Sequence, residues 1–372
     1  MGKCGESGYG LYVHIPFCTT KCSYCAFSVS HNGLGLQGEY FEALAAEVRH
    51  YLTNGPFLLG DGGFDTVYFG GGTPSLVEPS LLGNFLASIP VAIGAEVTVE
   101  VNPESASKDL FASYVDFGVT RVSIGVQTFD DRVLRYFGRN HDSYGAERAI
   151  GLACDTEGLS VGIDLVYGSE AEDDESWRST ISKVASLAPK VSHVSAYALG
   201  IEPRTRLHHL RASSQSEDVL AARYLMADEV FEGCGLANYE VSNWSRPDRR
   251  CLHNLNYWNW GDYLGVGLSA HSHFGRLRWW NDPSLKRYIA AVKLDGSGFI
   301  GGEELEDSQI ATERLMLALR TKKGLSEDEL KVLTSKYGNE KLLELFEVES
   351  GRASLRPTGR LLADGVFRAL SS

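Results

Sequence analysis

Between residues 10 and 199 two apolar patterns take turns. Short runs rich in Val, Ile, Tyr and Phe recur at 11–15, 66–69, 97–101, 121–126, 161–166 and 193–198, the length and composition of buried strands. Between them, apolar positions fall at helical spacing over 39–52, 79–89, 108–117, 144–153 and 175–187. Strand and helix in strict alternation predict parallel strands joined by right-handed crossovers, because each helix must pack back onto the sheet. Six such strands occupy about 190 residues, short of the roughly 250 that a closed eight-stranded barrel needs. The pattern therefore predicts an α/β fold, a partial (three-quarter) β/α barrel of about six parallel strands.

After residue 199 the alternation stops. A helix is predicted over 217–232. The window 239–280 is then rich in aromatics, Gly and Asn, and holds Trp244, Trp258, Trp260, Trp279 and Trp280, five of the six tryptophans. Helical patterning resumes near Asp307, and Ser326-Glu327-Asp328-Glu329 reads as a helix start. A hairpin is expected over 351–357, before a last helix. This gives a smaller C-terminal α+β, winged-helix-like domain. The expected division is 1–210 for the barrel, 211–305 for an aromatic-rich accessory region and 306–372 for the C-terminal domain. No internal repeat is visible beyond the strand–helix alternation.

Composition narrows the function more than the fold. With 43% hydrophobic and 22% charged residues, the chain is neither disordered, collagen-like nor a coiled coil, and its 372 residues suggest about two domains. Its formal net charge of −13, with no lysine or arginine block, repels phosphate backbones, so nucleic acid is not an expected partner. No stretch reaches the roughly 18 apolar residues of a spanning helix. MGKCGESGYG has no basic segment followed by an apolar core, which predicts a cytoplasmic protein. The adjacent pair His208 and His209 is a poor metal site, since neighbouring side chains point apart.

The cysteines say more. There are seven: Cys4, Cys18, Cys22, Cys25, Cys154, Cys234 and Cys251. An odd number in a chain without an export signal argues against a disulfide framework. Cys18, Cys22 and Cys25 form C-x3-C-x2-C in the run from His14 to Cys25. A structural zinc site wants four ligands, usually as two separated pairs, whereas position 27 is Phe27. Three thiolates suit three irons of a [4Fe–4S] cluster and leave the fourth iron open to a chelating ligand. Cys4, Cys154 and Cys234 have no spacing partner and read as structural.

Polar residues also sit where apolar strands end. Phe69 leads into Gly70-Gly71-Gly72-Thr73-Pro74-Ser75, which lets backbone approach a ligand closely but has neither phosphate-loop nor dinucleotide spacing. Glu100 precedes Val101-Asn102-Pro103. Gln127 ends Gly125-Val126-Gln127, with Arg139 twelve residues on, and Asp164 lies within Gly162-Ile163-Asp164-Leu165. Burying such groups unpaired costs on the order of 1–3 kcal/mol each. On successive strands they converge on one barrel mouth, an acid, an amide, a guanidinium and a second acid.

These motifs together resemble the radical S-adenosylmethionine (radical SAM) superfamily, and more narrowly its branch of oxygen-independent coproporphyrinogen III oxidases and HemW-type haem chaperones. The likeness runs along nearly the whole chain. It implies that Cys18, Cys22 and Cys25 ligate the cluster. It further implies that Tyr12, Gly71, Gly72, Thr73, Glu100, Gln127, Arg139, Asp164 and Ala198 bind S-adenosylmethionine, whose amino and carboxylate groups chelate the open iron. Arg139 suits the carboxylate, which a guanidinium pairs bidentately, and Asp164 suits a ribose diol.

Two features separate the two members of the branch. The oxidase carries a further cysteine two positions after the third, where this chain has Cys25-Ala26-Phe27. His253-Asn254-Leu255-Asn256-Tyr257-Trp258 matches the H-N-x-x-Y-W signature of the HemW type. Imidazole is a common haem ligand and flat aromatic surface suits the macrocycle, so His253 is the haem-binding candidate. His271, His273 and Cys251 remain alternatives. The resemblance thus implies a haem chaperone carrying a [4Fe–4S] cluster, S-adenosylmethionine and haem, which delivers haem to acceptor haemoproteins such as those of the respiratory chain. It also admits an electron donor such as flavodoxin or ferredoxin, a peripheral membrane contact and a homodimer. The competing readings are a coproporphyrinogen III dehydrogenase acting through a 5′-deoxyadenosyl radical, which the missing cysteine disfavours, and an iron–sulfur protein that binds S-adenosylmethionine only as a structural or regulatory partner.

Overall fold

The computed structural model describes residues 8–57, 59, 62–336 and 338–371; Cys4 lies outside them. The predicted alternation is realised as β1 (Gly10–Ile15), α1 (Gln37–Asn54), β2 (Phe64–Gly71), α2 (Pro79–Ala87), β3 (Val91–Val101), α3 (Lys108–Asp116), β4 (Arg121–Gln127), α4 (Asp131–Phe137), α5 (Ser143–Cys154), β5 (Ser160–Tyr167), α6 (Asp174–Leu187) and β6 (His193–Ala198). Strands β1 to β6 pair in sequence order and all in parallel. Their alternate residues, such as Val13, Val67, Val99, Val122, Ile163 and Val194, are buried in one continuous core. Capping fixes where most crossover helices begin. Side chains of Ser107, Asp130, Asp142 and Asp173 accept backbone N–H groups of the first turns they precede.

Helix α4 was not expected. Its seven residues carry too little apolar periodicity to stand out, and only the Asp130 cap and Gly138, at φ +71°, mark its ends.

The accessory segment supplies α7 (Arg206–His209), α8 (Glu217–Gly233), β7 (Ala237–Glu240), β8 (Asn243–Ser245), α9 (Leu252–Trp258), β9 (Tyr263–Val266), β10 (His271–Phe274), β11 (Leu277–Asn281), α10 (Leu285–Asp295) and β12 (Phe299–Glu304). Its strands extend the barrel sheet at both edges, giving twelve strands in the order β12-β11-β10-β9-β1-β2-β3-β4-β5-β6-β8-β7. Strand β9 joins β1 in parallel, so the parallel set has a seventh member. A four-residue strand reached by a long excursion leaves no strand–helix rhythm to read. Glu47 of α1, wholly buried, fastens this extension. It accepts hydrogen bonds from the Gly267 and Gly298 amides, the Asn281 amide group and the Tyr288 hydroxyl.

The C-terminal segment folds as α11 (Asp307–Ala318), β13 (Leu325–Ser326), α12 (Glu327–Lys336), β14 (Phe346–Glu349), β15 (Arg352–Leu355), α13 (Pro357–Arg360) and α14 (Ala363–Ser371). The antiparallel sheet β13-β15-β14 and its helices enclose a separate apolar cluster around Leu330, Phe346, Ala353 and Val366. The hairpin is β14–β15, which begins five residues before the expected 351–357 and turns at Ser350 and Gly351, both at positive φ; Pro357 instead opens α13. The domain is tied to the rest by backbone pairing of residues 239–241 with residues 320–322. The buried Arg360 adds a pair with Asp228 at 3.0 Å, and Asp228 also accepts from the Trp244 indole. No described helix is long and apolar enough to cross a membrane.

Candidate functional site

The cysteine loop leaves β1 and is held at both ends before any ligand enters. The Cys18 amide donates to Ser30 O and the Ser30 amide to Pro16 O, closing its base. Farther along, the Ser23 amide donates to Phe137 O at the end of α4, and the Leu207 amide donates to Ser23 O. Helix α4 thus anchors the middle of the loop and, two residues on, delivers Arg139.

The triple glycine lies against the same loop. The Gly72 and Thr73 amides donate to Ile15 O and Phe17 O at 2.7 and 2.8 Å. A Cβ at Gly72 would stand 2.9 Å from the carbonyls of Ile15 and Phe17, and one at Gly71, whose φ is +114°, would strike the His14 ring. The glycines therefore let two backbones touch, and the cysteine loop is the partner that approaches. His14 is packing: its Nε2–H donates to Ser28 O, leaving Nδ1 to accept from the Tyr12 hydroxyl.

Above these supports opens a cavity of about 380 Å³ lined by Cys18, Cys22 and Cys25 on one side and the strand ends on the other. Gly71, Gly72, Thr73, Glu100, Gln127, Arg139, Asp164 and Ala198 all line it, so residues separated by up to 180 positions meet as their strand-end placement predicts. Tyr12 is not on its wall; it stacks on Tyr68 with centroids 6.3 Å apart. Gln127 reaches the cavity through an irregularity. The β4–β5 register shifts between Ile124 and Gln127, and Gln127 takes φ +67°, a left-handed conformation that re-aims its side chain and costs on the order of 1 kcal/mol.

The polar groups are only partly satisfied. Arg139 donates to Cys22 Sγ at 3.3 Å, Asn102 Oδ1 at 2.9 Å and Gly125 O at 3.0 Å. Its Nε, although buried, finds no partner among the described residues. Glu100 accepts from the Tyr68 hydroxyl and the Gly71 amide. Burial, and then the charge of Asp164, push its carboxyl from the usual 4.5 to about 7. Asp164 is also raised by burial, against the pull of hydrogen bonds from Ser195 and Ser123. Burial raises the Cys18 and Cys25 thiols too, opposed by the Arg139 guanidinium at both and by the Lys21 ammonium at Cys25. Among the described residues no three His, Cys, Asp or Glu side chains close on a single ion; the thiols face the cavity as separate donors. A one-thiolate-per-iron cluster fits that arrangement, and the unpaired Arg139 Nε fits an anionic ligand beside it.

Sequence reasoning missed several lining residues. Asn102 ties Arg139 to Thr73, and its place directly after the Glu100 strand end was the available signal. Ser123, Arg121, His193 and Tyr197 also line the cavity. They lie on β4 and β6, inside runs that read as plain buried strand.

Comparison with known proteins matches residues 12–184 to the Radical SAM superfamily. The chain is 36% identical to the heme chaperone HemW of Mycobacterium tuberculosis over 97% of its own length and 94% of that protein's. The chain belongs to the HemW family of the radical SAM superfamily. The Escherichia coli HemW is 35% identical over 70% of this chain and 69% of its own. The solved structure of the radical SAM enzyme coproporphyrinogen III oxidase (HemN) from E. coli superposes with TM-score 0.81 at 22% identity, covering 98% of this chain and 90% of that one, which shows a shared fold. Radical SAM proteins use a [4Fe–4S] cluster and S-adenosylmethionine, which accords with the donor set of the cavity.

The HemW-type motif divides its residues between tasks. His253 is 1% exposed, with Nδ1 2.8 Å from Thr66 Oγ1 and Nε2 2.7 Å from the Tyr257 hydroxyl. Burial drives its pKa from 6.5 to about 3, so the ring is neutral. Both nitrogens being engaged, His253 has no lone pair free for iron in this conformation; it bridges α9 to β2. Its amide donates to Glu96 of β3, which also accepts from the buried Cys251 thiol. Asn254, by contrast, lines the barrel cavity, while Trp258 lines a groove facing the C-terminal domain. Of the other candidates, His271 is exposed and His273 buried.

Proposed function

We propose that the chain is a haem chaperone that holds a [4Fe–4S] cluster and S-adenosylmethionine at the barrel mouth, binds haem and passes it to acceptor haemoproteins such as those of the respiratory chain. The observation that carries this reading is the identity to a heme chaperone over 97% of the chain, which takes in the accessory and C-terminal segments as well as the barrel. Phe27, 63% exposed, stands where the oxidase has its additional cysteine, and supports the same reading.

Cys18, Cys22 and Cys25 would hold three irons. Arg139 and Glu100 would receive the carboxylate and amino groups of S-adenosylmethionine, Asp164 its ribose, and the Gly71–Thr73 backbone and Ala198 its remaining edge. When bound, the cluster supplies single electrons, drawn from a donor such as flavodoxin or ferredoxin. This chain's part is electrostatic. The Arg139 guanidinium faces both a thiol and the cavity, Asn102 fixes its plane, and Glu100 near pH 7 stands between an acceptor and a donor of protons.

Anaerobically purified protein, reconstituted with iron and sulfide and loaded with haem, is expected to transfer that haem to an apo-haemoprotein. With a reductant it is expected to leave coproporphyrinogen III unchanged. Conversion to protoporphyrinogen would instead establish the dehydrogenase, and neither activity would leave the structural or regulatory reading. Before haem is added, Cys22→Ser should abolish the broad absorption near about 400 nm that iron–sulfur charge transfer gives; a surviving chromophore would remove the cluster assignment.

A further inference from the structure

A cluster that supplies single electrons has to be recharged from outside the chain, and the cysteine loop shows where a carrier can reach it. Cys18 is buried, whereas Cys22 and Cys25 are half-buried, and Lys21, Ala26 and Phe27 beside them are exposed. Two neighbouring segments frame that open side. Helix α4 receives the Ser23 amide through Phe137 O, and the segment after β6 returns the Leu207 amide to Ser23 O. The Leu207 side chain is buried with Val133 and Phe137 in a small apolar cluster against which Tyr24 packs. Loop, helix and segment therefore present one joint surface.

That surface is cationic. Lys21 on the loop, Arg135 on α4, and Arg204, Arg206 and Arg211 after β6 are all exposed, and none belongs to an ion pair among the described residues. Residues 18–32, 131–140 and 199–216 together hold seven lysines and arginines against two carboxylates, Asp131 and Glu202. The three segments thus carry a net charge of +5 in a chain whose net charge is −13. Acids that approach from neighbouring elements are already engaged. Glu170 accepts from the Tyr136 and Ser213 hydroxyls, and Asp130 and Asp173 both hold Arg132. Arg204 and Arg211 stand at φ +69° and +53°, left-handed conformations that cost a non-glycine residue on the order of 1 kcal/mol each. Long cations are kept there although the backbone favours glycine.

Apolar contact is available within the same surface. Leu210 is 65% exposed beside the arginines, and Phe27 stands open on the loop. Exposed apolar side chains set among charges are the anatomy of a transient protein interface, in which opposite charge steers the encounter and a small apolar contact orients it. An anionic bilayer would meet the charges as well. Lys21 and Phe27 also line the cavity mouth, however, and a membrane pressed on them would seal the entry of S-adenosylmethionine. A carrier that docks and leaves keeps that entry open.

We propose that the face formed by Lys21, Arg135 and the Arg204–Arg211 segment docks a small acidic one-electron carrier of the flavodoxin or ferredoxin class. The proposal rests on the cluster assigned above and deepens it. In each encounter the carrier is oxidised by one electron and the cluster reduced by one, with no bond made or broken in the chain. The test mixes anaerobic full-length protein, its cluster reconstituted, with reduced flavodoxin and follows bleaching of the cluster absorption. Wild-type reduction should slow steeply as salt is added. Arg204→Glu/Arg206→Glu/Arg211→Glu should slow it about tenfold or more at low salt, while dithionite reduces variant and wild type to the same extent, which shows the cluster intact. Lys108→Glu/Lys286→Glu/Lys341→Glu, at exposed positions of other elements, makes the same change in net charge and should leave the rate within about twofold of wild type. A wild-type rate in the first variant would overturn the proposal, as would equal slowing in both. Loss of binding to phosphatidylglycerol vesicles in the first variant, with its flavodoxin rate unchanged, would make the face a membrane surface instead. Wild-type protein that assembles no cluster would overturn the underlying reading, and the proposal with it.

Discussion

The barrel mouth and the H-N-x-x-Y-W helix are both built from polar and aromatic residues set in apolar surroundings, yet they differ in what they leave unsatisfied. At the mouth Arg139 Nε has no partner among the described residues, and the three thiols and the carboxyls of Glu100 and Asp164 line a cavity. In α9 the histidine and tyrosine are turned into each other and into β2. Asn256 donates to Asp262 O, and Gly10 leaves room for the His253 and Asn256 side chains against β1. One region is poised for a ligand, and the other uses its polar groups to hold a helix on a barrel. A polar motif is therefore evidence of a site only when its hydrogen-bonding capacity remains unfilled after folding.

The sharpest way to break this comparison is His253→Ala. If the ring is a structural bridge, removing it leaves Thr66 Oγ1 and the Tyr257 hydroxyl unpaired beside a new void. Equilibrium denaturation should then show a loss of about 3 kcal/mol, while iron and sulfide content stay at wild-type levels. Wild-type stability would mean the histidine is free for another role. Gly72→Ala should come next. A Cβ there meets the carbonyls of the cysteine loop, so even without S-adenosylmethionine the substitution should cost about 2 kcal/mol and lower iron retention on purification. Full retention would show that the glycine run does not position the thiols.

Glu100→Gln gives the smallest and most specific effect. The folded carboxyl titrates near 7 rather than 4.5, so the folded chain binds this proton more tightly than the unfolded chain. That stabilisation is complete below the unfolded value and is lost as pH rises through about 7. The ligand-free wild type should lose on the order of 1 kcal/mol from this group between about pH 6 and about pH 8. The Gln variant should lose correspondingly less over the same interval. Parallel melting curves across that range would place the raised carboxyl elsewhere, with Glu47, Glu172 and Glu240, all also near 7, as the remaining sources.

Much of the architecture could be read from the chain because it depends on local periodicity. The six barrel strands, their crossover helices, α8 and the C-terminal hairpin all follow from patterns spanning a few residues. The cavity residues followed too, since consecutive parallel strands bring their C-terminal ends to one face. Tertiary structure alone decided whatever depends on contacts far apart in sequence. Strand β9 joins β1 across 250 residues, α4 serves as an anchor for the cysteine loop, and Tyr12 stands behind the cavity wall. It also decided that both nitrogens of His253 are engaged. Residue type sets the capacity of a side chain for hydrogen bonds, but only folded neighbours such as Thr66 and Tyr257 determine how much of that capacity is left.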